Sequence, residues 1–310
     1  MEPVLSVIIA CRNAADTLGT QLAALAAQPC PVPWELLICD NGSTDGSTEV
    51  ARSFADRIPE LRIIDASADR GAGPARNLGV ERSRGAWLAF CDADDEVAPD
   101  WLAAMCRALA RHRFVAGRFE SSRLNGCRVL RSRPLQQQDG LQTSPIGVAL
   151  PHAGGGNLGM HRADFVRLGG FDRAIRWLED TDLSWRAQLA GIPLVFCPDV
   201  VVHVRLRRTF RSMVVQGWQY GVAQAWLEER YGMGPTGSTG PSRVADAAAV
   251  GGARPALRAR RVGTWLVDHL IGGRLCWRVG WVVGHRSRRR RGLRGAPPTT
   301  AVTRSPLVPG

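Results

Sequence analysis

Short apolar runs alternate with amphipathic stretches through the first 110 residues of the chain. The runs predict β-strands at 4–10, 34–39, 61–65 and 85–89, because each is short and is followed by turn-forming residues. The intervening stretches, at 17–27, 47–54, 71–85 and 99–110, predict helices. Strand and helix in regular alternation predict an α/β fold with a mostly parallel, doubly wound central sheet and flanking helices.

The pattern is weaker after residue 113. Strand-like pieces are predicted at 113–119 and 128–130, and a glycine-rich turn at 154–156 leads into another short strand. Helices are predicted at 163–168 and from 177 to Gly191, followed by a pair of strands at 194–197 and 200–204. We expect four regions: one domain at 1–231, a flexible linker at 232–255, an amphipathic basic helical segment at 256–294 and a disordered tail at 295–310.

Three carboxylates, Asp92, Asp94 and Asp95, follow the fourth predicted strand together. Ionised carboxylates this close raise one another's pKa, and a divalent cation with oxygen ligands is the usual reason for such a cluster. A solvated acidic turn that caps the next helix is the alternative. Asp40 and Arg76 also lie near strand ends, at the edge where open parallel sheets bind ligands.

A second acidic group, Glu179 and Asp180, opens the helix predicted after Trp177. Acids in the first turn of a helix complement its dipole, which would account for Asp182 more readily than for its two neighbours. His203 lies in the last predicted strand. A lone histidine is usually structural, so we expect a ligand there only if this strand ends near Asp94.

Charge is distributed unevenly along the chain. All 40 basic residues are arginines, and the formal net charge is +12. Residues 254–294 hold 12 arginines against one acid, Asp268, a balance of +11, so the remainder is nearly neutral. Eight scattered cysteines, no secretory leader and no apolar run of roughly 18–20 residues predict a cytoplasmic protein, with peripheral binding to the inner face of the plasma membrane left open.

The basic region contains an amphipathic stretch at 262–284, followed by an arginine run. Tryptophan and arginine on such a segment favour an anionic membrane surface as partner. A helix that packs on the main domain, with a solvated basic end, is the alternative. Nucleic acid is not expected, because no recognised binding module accompanies the charge. If the membrane interpretation holds, deleting 255–310 will release the protein from anionic vesicles.

Five motifs resemble, in order, those of the family 2 glycosyltransferases, whose nucleotide-binding fold is called GT-A. They are the first strand with its turn, an Asp-Asn-Gly-Ser-Thr-Asp-Gly turn, an Ala-Arg-Asn helix, an Asp-x-Asp motif and a Glu-Asp motif. These motifs lie at 5–13, 39–47, 73–79, 90–95 and 179–186. Arg12 replaces the family's usual aromatic residue, and Asn41 its usual aspartate. A dinucleotide fingerprint at 71–76 is not favoured, because Arg76 occupies its third glycine position.

The resemblance implies an inverting, non-processive enzyme of the bacterial type that moves one sugar from a nucleoside-diphosphate sugar to an acceptor hydroxyl with Mn²⁺ or Mg²⁺. A UDP or dTDP sugar is favoured, because Asp40 would accept the imide N–H of the base, and a guanosine nucleotide stays open as the alternative. The acceptor would be a glycan, a lipid-linked molecule or a small molecule of cell-envelope or surface-glycan synthesis. The implied residues are Asp180 as base with Glu179 beside it; Ala10, Arg12, Asn13, Asp40, Arg76 and Asp92 for the nucleotide; Asp94, Asp92 and His203 for metal; and Gly156, Asn157 and Trp177 for sugar or acceptor.

Two other functions remain open at this point. A membrane-associated scaffold that binds nucleotide without turnover is one, although it would have no physical need of Asp94, Glu179 and Asp180. A nucleotidyltransferase would require a glycine-rich basic loop after the first strand, and residues 11–15 contain no glycine. The Gln-x-x-Arg-Trp motif of processive family members is not matched at 216–220.

Overall fold

The computed structural model describes residues 2–58, 60–132, 136–143, 150–207, 209–231 and 273–291. The predicted linker at 232–255, the predicted tail at 295–310 and residues 256–272 of the predicted helical segment lie outside the described residues. The proposed division of the chain into these regions therefore stays a prediction.

Eight strands form one mixed sheet. In chain order they are β1 (Leu5–Cys11), β2 (Trp34–Asp40), β3 (Leu61–Asp65), β4 (Trp87–Asp92), β5 (Glu96–Val97), β6 (Phe114–Glu120), β7 (Asn157–His161) and β8 (Val195–His203). Their order across the sheet is β3-β2-β1-β4-β7-β6-β8-β5. The first four strands are parallel, whereas β7 runs antiparallel to both β4 and β6.

The described helices are α1 (Ala15–Ala26), α2 (Ser47–Arg52), α3 (Ala72–Arg82), α4 (Trp101–Leu109), α5 (Cys127–Ser132), α6 (Arg162–Arg167), α7 (Glu179–Leu189), α8 (Phe210–Arg230) and α9 (Gly273–Arg291). Both faces of the sheet are covered. Because side chains alternate along a strand, Val7 and Ile9 of β1 pack in the core on the side of α1 and α4, while Ile8 packs on the side of α3 and α7. The predicted α/β sheet with flanking helices is confirmed.

Two predicted elements are wrong. Residues 128–130 belong to helix α5 rather than to a strand. The expected strand pair at 194–204 is the single strand β8, whose pairing with β6 shifts between Gly117 and Arg118, so that β8 skips from Cys197 to Val201. Pro198 lies in the skipped part and has no N–H to donate to a ladder, which explains why the pattern resembles two strands.

Strand register determines which polar residues meet at the sheet edge. Ala10 of β1 is aligned with Asp92 of β4, and Cys11 with Asp40 of β2. Because these three strands are parallel, their carboxyl ends form one edge, where ligands bind in such sheets. The loops after β1, β2 and β4 therefore surround a common space.

Helices α8 and α9 pack closely in parallel. Gly217 and Gly221 of α8 lie against the backbone of α9, and Gly280 and Gly284 of α9 lie against the backbone of α8, with no room for a Cβ at any of the four. Glycines four residues apart allow two helix backbones to approach in this way. Among the described helices, none is both long and apolar enough to cross a membrane.

Candidate active site

The acidic cluster lies at the end of β4. Asp92 is the last residue of the strand, and Asp94 and Asp95 follow in the turn before β5. One carboxylate oxygen of each lies within 4.8 Å of the other two. Burial, with the neighbouring carboxylates adding to it, raises the pKa of both Asp94 and Asp95. A divalent cation would relieve this repulsion, so the donor set fits Mn²⁺ or Mg²⁺.

The second acidic group lies at the start of α7. Leu178, just before the helix, has a φ of 63°, which is uncommon outside glycine. Asp180 accepts hydrogen bonds from two backbone N–H groups, that of Gly155 at 2.6 Å and that of Thr181 at 2.7 Å. Oδ1 also lies 3.5 Å from the Thr181 hydroxyl, whereas Oδ2 keeps a further lone pair, so Asp180 is held in place with one acceptor position open.

A glycine loop separates the two acidic groups. Gly155 donates its N–H to Asp180, while a Cβ on the next residue, Gly156, would lie 2.6 Å from Asp92 Oδ2. Consecutive Cα atoms are about 3.8 Å apart. The cluster at the end of β4 and the carboxylate of Asp180 therefore lie on either side of one short stretch of backbone.

Arg76 of α3 contacts both acidic groups and so bridges them. It is 4% exposed and donates to Asp92 Oδ1 at 2.6 Å and to Glu179 Oε1 at 2.9 Å. These carboxylates hold its pKa above the usual arginine value despite its burial. Burial raises the pKa of Glu179 to about 7, with the charge of Asp180 adding to the effect and Arg76 opposing it. Arg76 thus connects the acids of both groups electrostatically.

Two adjoining cavities open over these residues. The β1-side cavity, about 560 Å³, is lined by residues that include Ala10, Arg12, Asn13, Arg76 and Trp177. The α8-side cavity, about 270 Å³, is lined by residues that include Phe119, Gln142, His152, Gln216 and Tyr220. Both cavities share Asp92, Asp94, Asp180, Arg205 and Arg207. The predicted residues Gly156 and Glu179 also line this space, the former both cavities and the latter the β1-side one.

Three predicted site residues do not line either cavity. Asp40 lies at the end of β2, where each of its carboxylate oxygens is 3.3 Å from the backbone nitrogen of Ser43, so its role toward a base stays a prediction. His203 is not part of the acidic cluster; its Nδ1 lies 2.7 Å from Glu120 Oε2. His203 pairs with Glu96, directly after the cluster, but its Nδ1 contacts Glu120, so a metal role for His203 stays a prediction.

The expectation for Asn157 is corrected. Its side chain is 0% exposed, accepts from Trp101 Nε1 at 2.9 Å, and donates to the backbone oxygens of Arg118 and Val200. These contacts use both N–H groups of the amide and one lone pair of its oxygen, and they join β6, β7, β8 and α4. Asn157 is therefore a buried structural residue that does not reach sugar or acceptor.

Arg205 and Arg207, on the loop after β8, were not predicted. Arg205 donates its backbone N–H to Asp95 Oδ1 at 2.8 Å and its Nε–H to the backbone oxygen of Asp94 at 3.0 Å. Their positive charge also acts on Asp94. The signal in the sequence was available: two arginines, two positions apart, directly follow a predicted strand. His152, Gln142 and Gln216 come from separate segments and carry no such local signal.

The family model for glycosyl transferase family 2 matches residues 6–168 of the chain. The chain belongs to this family. The match contains the ends of β1, β2 and β4 and the glycine loop, and stops before α7. The predicted family is thereby confirmed.

Curated relatives match over limited segments. Escherichia coli YibD, an uncharacterised glycosyltransferase, is 43% identical over 95 residues, which are 31% of this chain and 27% of the relative. A Mycobacterium bovis glycosyltransferase of PGL/p-HBAD biosynthesis is 37% identical over 36% of this chain and 43% of its own length. The succinoglycan biosynthesis protein ExoO of Rhizobium meliloti is 35% identical over 33% and 29%, respectively. The matches thus span less than half of these relatives.

Two solved structures share the fold. The mannosyltransferase PcManGT of Pyrobaculum calidifontis, in complex with GDP-Man and Mn²⁺, has a TM-score of 0.57 at 20% identity, over 96% of this chain and 77% of that one. Residues 1–349 of S. aureus TarS, in complex with UDP-GlcNAc, have a TM-score of 0.51 at 16% identity, over 72% and 67%. The fold is therefore that of the GT-A glycosyltransferases.

Proposed function

We propose that this protein is an inverting, metal-dependent glycosyltransferase that moves one sugar from a nucleoside-diphosphate sugar to an acceptor hydroxyl. The observation that carries the proposal is the position of Asp180, which faces the Asp92, Asp94 and Asp95 cluster across the glycine loop. Membership of the family supports sugar transfer as the reaction. The two adjoining cavities on the β1 and α8 sides support two substrates that meet between these carboxylates.

The carboxylates of Asp92, Asp94 and Asp95 would hold Mn²⁺ or Mg²⁺. Such a cation, when bound, stabilises the charge that develops on a departing diphosphate. Arg205 and Arg207 line the same space and add positive charge for the phosphate oxygens. The structure of PcManGT with GDP-Man and Mn²⁺ is consistent with this assignment, which here rests on the acidic cluster itself.

Asp180 would accept the proton of the acceptor hydroxyl as that oxygen attacks the anomeric carbon. The two backbone N–H groups keep its carboxylate oriented without occupying all of its lone pairs. Attack from the side opposite the diphosphate inverts the anomeric centre in one step. Glu179 would orient the sugar. Through Arg76, which also binds Asp92, it would fix the position of Asp180 relative to the carboxylates that face the diphosphate.

The β1-side cavity would take the nucleotide and the α8-side cavity the acceptor. Asp40 favours uracil or thymine as the base. Because the two structural neighbours are in complex with UDP-GlcNAc and GDP-Man, binding of uridine, thymidine and guanosine nucleotides must be compared directly. Relatives in succinoglycan and PGL/p-HBAD biosynthesis support an acceptor of the cell envelope or surface glycans. Such an acceptor would suit an enzyme that works at the inner face of the plasma membrane.

The test is a thermal-shift panel of UDP, dTDP and GDP, each with and without MnCl₂, followed by mass spectrometry of products from the corresponding sugar nucleotides. We expect one nucleotide to raise Tm, and Mn²⁺ to increase that shift. Asp94→Asn should remove the increase, whereas Asp139→Asn, an exposed carboxylate outside both cavities, should retain it. Absence of stabilisation by every nucleotide would contradict the proposal.

A further inference from the structure

Exposed apolar side chains are concentrated on α8 and α9. Among the described residues, eight large hydrophobic side chains are exposed. Two, Val166 and Leu189, lie singly on α6 and α7. The other six are on the α8–α9 pair: Val214, Val215, Trp218, Val279, Val282 and Val283. Scattered exposed hydrophobic residues are ordinary, but a contiguous group of this kind marks an interaction surface.

Glycine packing brings these side chains together. Gly280 and Gly284 lie against the backbone oxygens of Val214 and Trp218. Val279 and Val283 directly precede these two glycines and, one helical turn apart, lie on the same side of α9. Val214 and Trp218 are spaced likewise on α8. The exposed residues of both helices thus border one seam and form a surface that we call the α8–α9 apolar face.

The tryptophans that suggested a membrane contact from the sequence have a different position. Gly217 and Gly221 lie against the backbone oxygens of Trp277 and Trp281. The ring of Trp277 contacts Tyr220 with centroids 6.4 Å apart, and that of Trp281 stacks on His285 at 4.9 Å. The Trp277 ring thus contacts α8 directly, whereas Trp281 stacks within α9 on His285, whose Nε2 lies 3.0 Å from Glu228 Oε2 of α8. Valines and Trp218 therefore provide the outer apolar surface instead.

Positive charge borders this face. Arg211, Arg278 and Arg286 are exposed, and α9 contains no acidic residue while it ends in consecutive arginines. A helix surface that combines aliphatic residues with arginine complements a bilayer, because the apolar side chains enter the acyl boundary and the cations meet anionic headgroups. The charge favours a lipid surface over a second copy of this basic helix pair, which would bring like charges together.

The same helix pair borders the proposed active site. Gln216 and Tyr220 of α8 line the α8-side cavity. The ring of Trp218 is 6.3 Å from that of Trp177, which lines the β1-side cavity. Gln216 and Tyr220 point from the opposite side of α8, so Trp218 joins the apolar face to the cleft at Trp177.

We propose that the α8–α9 apolar face docks on an anionic lipid bilayer and holds the mouth of the cleft, at Trp177, near the lipid surface. An acceptor hydroxyl anchored in that bilayer could then reach Asp180 without leaving the membrane. This last consequence rests on the proposed function, whereas docking itself does not require substrate.

The test uses the full chain and vesicles of phosphatidylcholine alone or with phosphatidylglycerol, and measures partition by co-sedimentation. Val279→Asp/Val283→Asp should reduce binding to mixed vesicles about tenfold or more, because two apolar contacts are lost. The matched control, Val166→Asp/Leu189→Asp, places the same charges on exposed hydrophobic residues elsewhere and should bind as wild type. Arg211→Gln and Arg286→Gln should each reduce binding to the anionic vesicles about fivefold.

Each outcome decides the proposal. Failure of the wild type to sediment with anionic vesicles, or equal losses in face and control variants, would overturn it. A second result would also overturn it. In that case sedimentation velocity would show a dimer that Val279→Asp/Val283→Asp dissociates, while vesicle binding stays unchanged. The face would then join two copies of the chain. The nucleotide thermal shift of the variants keeps the two proposals separate: docking with no response to any nucleotide would reject the proposed function and retain the docking face.

Discussion

The two halves of the cleft are built in different ways. On the β1 side, parallel strands place the site residues by register, as in the alignment of Ala10 with Asp92. On the α8 side, side chains and loops from distant segments are joined by single contacts, such as those of Asp180 with Gly155 and of Arg205 with Asp95. The β1 side, proposed for the nucleotide, should therefore withstand changes in individual side chains, while the α8 side, proposed for the acceptor, should depend on a few of them.

The largest effect is expected from Asp180→Asn. An amide of the same shape cannot accept the acceptor's proton, so transfer should fall by about 10²–10⁴-fold. Nucleotide binding should be nearly unchanged, because the register of β1 and β4 is unaffected. Product formation and the thermal shift, measured on the same preparation, check this, with Asp139→Asn as a control of ordinary activity. Equal loss of binding and transfer would reject Asp180 as the base and with it the separation of the two halves.

The β1 side could be predicted from the sequence because its signals are local. Each strand is a short apolar run, and the residue that follows it is at the sheet edge whatever the rest of the chain does. Asp92 shows how far this extends: its pairing with Ala10 makes it the last residue of β4, so the acidic cluster begins within the strand itself. The order of motifs then identified the family.

Arg76 connects the halves, so removing it should affect stability as well as activity. Arg76→Met leaves Asp92 and the buried Glu179 without their cation, a change that costs about 3–5 kcal/mol for buried pairs. Urea denaturation measures this. The control is Arg52→Met, which breaks an exposed pair with Glu49 and should cost at most about 1 kcal/mol.

A double variant refines the interpretation of Arg76. In Arg76→Met/Glu179→Gln the buried carboxylate is replaced by a neutral amide, so the loss of stability should be smaller than the sum of the single losses. Strict additivity would show that Arg76 and Glu179 do not depend on one another. The two halves of the cleft would then be joined through the backbone alone.

Gly156→Ala tests the spacing between the halves. The added Cβ would lie 2.6 Å from Asp92 Oδ2, so either the loop or the carboxylate must move. A displacement of about 1 Å in a positioned site can lower turnover by about 10²-fold. We expect this loss in kcat together with a smaller Mn²⁺-dependent thermal shift. Gly140→Ala, where nothing lies within 4 Å of the new methyl, is the matched control; equal activity of both variants would contradict the assigned contact.

The α8 side could not be predicted from the sequence, because its contacts join residues that are far apart along the chain. His203 and Arg205 are two positions apart, yet His203 contacts Glu120 while Arg205 contacts the acidic cluster. Asn157 follows the glycine loop directly, yet its amide turns into the sheet. The pairing of β6 with β8 contains a register shift. Because of this shift, neither the hydrophobic pattern nor a motif specifies which side chain at the end of β8 faces the cleft. Only the packed positions of β6 and β8 decide it.

The smallest effect is expected at Cys30, on the β1 side, where a contact with one other cysteine changes the reactivity of the thiol. Its sulfur is 3.9 Å from that of Cys106 on α4, and this hydrogen bond lowers the pKa of Cys30 to about 7, whereas burial raises that of Cys11 to about 11. Because a lowered pKa leaves more thiolate at neutral pH, alkylation of Cys30 by iodoacetamide should rise with pH through a midpoint near 7, as peptide mass spectrometry would measure. Cys106→Ala should move that midpoint toward about 8.5, and Cys11→Ala should leave it in place. An unchanged midpoint in Cys106→Ala would show that the Cys106 sulfur does not lower the pKa of Cys30.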